Sequence, residues 1–119
     1  MLRRLLSALG LARKSGEITS GFERVIAAIR AGKAALLIEA VDGAADGRRK
    51  LQSAVRPGGA PATLIGLFTG EELSLALGAE NVIHTAFLAG RSADRWASDA
   101  QRLSGFRPLF PESWREEPY

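Results

Sequence analysis

Apolar residues recur along this chain in two rhythms, one helical and one of short uninterrupted runs. Leu2, Leu5, Leu6, Leu9 and Ala12 fall at helical spacing and predict an amphipathic first helix. Its other face carries Arg3, Ser7 and Lys14, with Arg4 and Arg13 at the flanks. Ser15-Gly16 ends it, the glycine standing where a C-terminal stop belongs. Ile18 and Thr19 can form a very short strand. A second helix then carries the stripe Phe22, Val25, Ile26 and Ile29, with Ser20 and Glu23 at capping-box spacing and Gly32 as its stop. The run Ala34 to Val41 reads as a buried strand, and Asp42-Gly43 as a turn. A third helix is expected from Ala44 to about Val55, with Arg48, Arg49 and Lys50 beside Leu51, Ala54 and Val55. Arg56 to Pro61 is a loop by composition.

The second half repeats the alternation. Ala62 to Phe68 is a second buried strand. Thr69 and Glu72 repeat the capping-box spacing ahead of Leu73, Leu75, Ala76 and Leu77, and Gly78 stops that helix. Val82 to Leu88 is a third core strand. Ser92 is placed to cap a last helix with Ala93, Trp96, Ala97, Ala100 and Leu103 inward, ended by Gly105. The order α-β-α-β-α-β-α predicts an α/β fold, with a mostly parallel or mixed sheet between two helical layers. Residues 1–105 read as one domain. Residues 106–119 hold three prolines, Trp114 and three glutamates, and read as an extended C-terminal tail.

Composition sharpens this picture in three ways. A chain of 119 residues, 46% hydrophobic, has length for one domain and material for a real core. The absence of cysteine excludes disulfides, thiolate zinc sites and cysteine nucleophiles. The start Met1 to Leu9 faintly resembles a signal peptide, but Ser7 and Gly10 interrupt the apolar stretch and Arg13-Lys14 closes it. The expectation is a cytoplasmic protein with no membrane span.

The net charge of +3 is unevenly spread. Residues 1–57 hold eleven basic and five acidic side chains; the rest hold five and eight. A basic half suits an anionic partner on one side, although on charge alone an ordinary solvated surface is the preferred explanation. Catalytic chemistry is not legible. His84 is the only histidine and reads as a satisfied core or edge residue of a strand. One histidine without cysteine argues against zinc. Neither a phosphate loop nor a GxGxxG after a strand is present. Glu71-Glu72 is explained by the first turn of a helix, where acids favour the dipole. The chain is therefore expected to be no enzyme, with no metal and no cofactor.

What remains is electrostatic. The Ser20-Gly21-Phe22 corner opens a helix whose free N–H groups point outward, a ready anion site or simply a plain cap. Arg24 and Arg30 lie on that helix, Lys33 just beyond it, and Arg13 and Lys14 just before the corner. Together they are candidates for one positive rim. Arg48-Arg49-Lys50 reads as a second patch or, preferably, a solvated helix face.

The stretch Leu9 to Asp42, LGLARKSGEITSGFERVIAAIRAGKAALLIEAVD, resembles bacterial members of the ribosomal kink-turn-binding family, the L-seven-Ae and L-thirty-e type. So do GRRKLQSAV, as the basic third helix, and FTGEELSLALGAENVI, as the "ELG-x-A-x-G" helix, loop and last strand. By pattern order the likeness covers about Leu5 to Phe106. It also extends to the C-terminal domain of bacterial proteins with a small basic domain ahead of this fold, which would make the chain a fragment. The resemblance implies a three-layer α/β/α sandwich with a small mixed sheet, binding sharply bent RNA through the helix that starts at Gly21. It implies that Glu23 and Arg24 stand where the family often has Asn and Glu, and Ala27 where it often has Lys. It implies that Ala79, Glu80, Asn81 and Val82 form the loop covering a flipped base, and that Ser74 replaces a glycine. An ionised Glu23 can only accept hydrogen bonds, where an amide both donates and accepts. General binding to structured RNA rests instead on the helix end and the basic rim.

Two functions follow as expectations. The first is a non-catalytic binder of structured RNA, kink-turn-like or ribosomal, working near the ribosome or another RNA–protein particle. Its site is Gly21 and Phe22 through their backbone, Arg13, Lys14, Arg24, Arg30 and Lys33 on phosphates, and Glu80-Asn81 near a base. The second is a protein-interaction module of a translation-related or RNA–protein assembly, which apolar residues left exposed on the first helix, or an aromatic tail lying in a groove, would favour.

Overall fold

Leu36, Leu37 and Ile38 alternate across one strand and so divide the core in two, because successive strand side chains point to opposite faces. The computed structural model describes residues 2–55, 62–105 and 108–116. Its elements run α1 (Leu2–Lys14), β1 (Ile18–Ser20), α2 (Phe22–Arg30), β2 (Ala34–Glu39), α3 (Ala45–Ala54), β3 (Thr63–Ile65), α4 (Gly70–Leu77), β4 (His84–Leu88), α5 (Arg91–Leu103) and a 3-10 helix, Glu112–Glu116. The strand order is β1-β4-β2-β3. β2 and β3 are parallel; β4 is antiparallel to both β1 and β2. The sheet is therefore mixed, and helices cover both faces.

On one face, Leu36, Ile38 and Phe87 pack with Leu5 and Leu9 of α1, Leu73 and Leu77 of α4, and Trp96 of α5. On the other, Leu37 and Ala86 pack with Val25 and Ile26 of α2 and Leu51 of α3. The Trp96 indole N–H donates to the Leu5 carbonyl at 3.0 Å, which satisfies its one polar atom inside the apolar layer.

Four local expectations shift, each for a stated reason. Ser20 does not cap α2: its backbone pairs with Thr85 in the sheet, and Gly21 is the N-cap. Ser92 lies inside the first turn of α5, whose N-cap is Gly90. The strand expected over 62–68 is only Thr63–Ile65, because the Gly66 N–H leaves the sheet and donates to the Leu109 carbonyl at 2.7 Å. The strand expected from Val82 starts at His84, because the Val82 N–H donates to the Ser74 hydroxyl at 2.9 Å. The capping box at Thr69 and Glu72 is present in both directions.

Residues 108–116 return to the body of the domain. Trp114 is buried, and Phe110 stacks on it with the rings 5° from parallel. The indole fills the space that the missing side chain of Gly66 leaves: a Cβ there would collide with the ring. Arg48 lies over the same ring at 3.9 Å and is itself buried, so it does not belong to a solvated face of α3. The loop expected at 56–61 lies outside the described residues.

Candidate nucleic-acid interface

Three chain crossings meet at one end of the sheet, where β1 and β2 finish and β4 begins. Gly21 donates its N–H to the His84 carbonyl at 2.9 Å, and Ala40 donates to the Ile83 carbonyl at 2.9 Å. The carboxylate of Asp42 accepts from the Gly70 N–H at 2.8 Å. The α2 corner, the turn after β2 and the strand start after the α4–β4 loop are thereby stitched together.

Gly21 has φ +95°, a backbone that side-chain-bearing residues rarely adopt, and a Cβ built there would meet open space. It is thus the backbone geometry, rather than crowding, that selects glycine. No side chain caps α2. The first turn therefore has no side-chain partner for its N–H groups, and Glu23 and Arg24 in it are exposed; such a turn suits an anion, which gains both the amides and the positive end of the helix. Arg24 adds a cation at that turn. Glu23 adds a negative charge beside it.

The second component is the loop Gly78 to Ile83. Gly78 terminates α4 in the left-handed conformation. Asn81 has φ +53°, the one non-glycine residue with a positive φ among the described residues, and Glu80 and Asn81 are exposed. Val82 is buried and anchors the loop, while Ala79 packs partly against the core. Ser74 clamps it. Its hydroxyl donates to the Gly70 carbonyl at 2.7 Å and accepts from the Val82 N–H. Arg13 braces the other end by donating its guanidinium to the Leu77 carbonyl. Replacing Ser74 by Ala is expected to leave the Val82 amide without a partner. Hydrogen exchange at Val82 should accelerate by roughly tenfold, while exchange in β2 stays unchanged.

The structure does not gather all the predicted cations on one rim. Arg24 stands at the open turn. Arg30 lies about 9 Å further along the helix axis, six residues on. Lys33 sits at the other end of the sheet, where its carbonyl accepts from Ala89. Lys14 is exposed at the end of α1, and Arg13 is committed to α4.

A buried polar pair lies directly under the corner. His84 Nδ1 and Glu39 Oε1 share a hydrogen bond at 2.6 Å, and Glu39 is buried to 1% exposure. Phe22 meets the His84 ring edge-to-face at 5.6 Å. Glu39 escaped notice in the sequence, although a lone acid closing the apolar run AALLIE was a signal: a strand buried on both faces tolerates a carboxyl only with a partner. No group of metal ligands is present among the described residues, and no described helix is long and apolar enough to cross a membrane.

The fold is shared with solved structures. A protein of unknown function from Bacillus halodurans matches with a TM-score of 0.71 at 22% identity, over 79% of this chain and 93% of its own. A 15.5-kDa RNA-binding protein from Giardia lamblia matches with a TM-score of 0.62 at 20% identity, over 87% of each chain. At these identities the likeness establishes the fold. No family model matches the sequence, and neither does any curated protein.

Proposed function

We propose that this chain binds structured RNA without catalysis, through the open first turn of α2 and the loop before β4. The observation that carries the reading is the uncapped N-terminus of α2, held by Gly21 at the sheet end beside the exposed Glu80-Asn81 tip. The shared fold with a protein that bears an RNA-binding name supports it. So does the family resemblance of the sequence. Bent RNA of the kink-turn type is the preferred target in this reading, and the setting is a cytoplasmic RNA–protein particle such as the ribosome. Phosphates meet the helix end and Arg24; Glu80 and Asn81 lie near a displaced base. Glu23 repels phosphate and accepts only, so it suits the donor edge of a purine rather than the backbone.

The test is binding of a kink-turn hairpin and a straight duplex at two salt concentrations. Tighter binding of the hairpin is the expected result. Arg24→Glu should weaken hairpin binding by about tenfold and reduce its salt dependence, because one phosphate contact is replaced by repulsion. Equal affinity for hairpin and duplex would remove bent-RNA specificity, and absence of binding would remove the reading.

One observation favours the protein-interaction alternative. Leu2 and Leu11 on α1 and Leu75 on α4 are large apolar residues exposed at 39%, 67% and 77%. A partner retained at high salt, and lost on Leu11→Lys or on Leu75→Lys, would support a protein-binding surface at the residue concerned.

A further inference from the structure

Phe22, Ile26 and Arg30 are spaced four residues apart and therefore form one stripe along α2. That stripe faces α3, and the two helices enclose an open groove between them. Its floor is apolar, made by Phe22 and Ile26. Its walls carry Arg30, Arg49 and Lys50 against a single acid, Asp46. Lys50 and Arg49 approach Asp46 at 3.1 and 3.9 Å, but Lys50 and Asp46 are well exposed and Arg49 more than a third exposed, so these pairs compete poorly with another anion. The groove thus keeps a surplus of two positive charges over an apolar floor. The edge-to-face contact on His84 fixes the Phe22 ring at its mouth. An apolar floor between cations suits a chain that alternates planar apolar groups with anionic links. A protein strand offers no such regular negative repeat, and a duplex keeps its bases inside.

We propose that the α2–α3 groove binds a single-stranded RNA segment, with a base against Phe22 and Ile26 and phosphates on Arg30, Arg49 and Lys50. The groove begins at the helix turn assigned above to structured RNA and runs away from it along α2. A strand leaving a folded RNA at that turn would enter it directly. The inference extends the RNA reading but does not depend on recognition of a bend.

The test titrates the full chain separately with labelled uridine and adenosine decamers and with a blunt kink-turn hairpin, by fluorescence anisotropy. Arg49→Ala with Lys50→Ala should weaken decamer binding by about tenfold and lower the salt slope by about 1.4, while hairpin affinity changes less than about twofold. Neutralising two exposed cations elsewhere, Arg91→Ala with Arg95→Ala on α5, should leave decamer affinity within about twofold. Decamers that fail to bind the wild type, or bind the Arg49/Lys50 variant as well as the wild type, would overturn the groove assignment. Loss of hairpin binding in the wild type with decamer binding intact would overturn only the reading of the α2 turn.

Discussion

Replacing His84 by alanine should destabilise the fold by about 1–3 kcal/mol. The imidazole provides the one hydrogen bond found for the Glu39 carboxyl, whose Oε2 has no partner among the described residues. Glu39 is buried beneath α2 and α3, so losing His84 strands a polar group where water does not compensate. The same change removes the ring on which Phe22 rests, and the corner of α2 loosens with it. Gly47 lies close enough that a Cβ there would stand 2.8 Å from the imidazole, so α3 also loses a packing surface. Urea unfolding of the variant measures the loss. A decrease below about 1 kcal/mol would show that the pair contributes little. Replacing both partners by leucine should recover more than half of the loss, because a buried polar pair is often no better than an apolar pair of similar size. A double variant as unstable as His84→Ala would point to packing rather than to the orphaned carboxyl.

Trp114→Ala should cost about 3–5 kcal/mol, the usual range for a large buried aromatic truncated to a methyl group. Trp114 is 6% exposed and closes over Gly66, with Phe110 stacked on one side and Arg48 as a cation partner. Truncation leaves a cavity and takes away the aromatic face over Arg48. The edge strand β3 also depends on this segment, since Gly66 donates to the Leu109 carbonyl. Limited proteolysis reads the consequence directly: cleavage after residue 105 should be much faster in the variant. Gly66→Val should reproduce the effect from the other side, because its side chain would occupy the place of the indole. Slow cleavage in both variants would mean that the segment is held by Leu109 and Pro111 without the tryptophan.

Most elements were legible because their signals are local. The stripes of α1, α2 and α5 each require one buried face, and a 3.6-residue period records it without reference to any neighbour. The glycine stops at Gly16, Gly32, Gly78 and Gly105 all have positive φ, a conformation that sequence reports through residue type alone. Gly21 stands before a helix in the sequence, and its φ of +95° is why a glycine belongs there. By contrast, the strand ends at Gly66 and Val82 are set by competing hydrogen bonds from outside each segment: to Leu109, far along the chain, and to Ser74, eight residues back on the preceding helix.

The candidate site divides along the same line. Sequence alone determined the helix opening at Gly21, the basic half of the chain and the exposed loop of Glu80 and Asn81, because conformation and charge belong to individual residues. Tertiary structure alone decided which of those charges act together. It commits Arg13 to α4, carries Lys33 to the far end of the sheet, buries Arg48 under Trp114, and turns Arg30 towards Arg49 and Lys50. It also pairs Glu39 with His84, forty-five positions apart, on adjacent strands. Such pairings depend on sheet order and register, and those are selected by burial of the whole core rather than by any single segment.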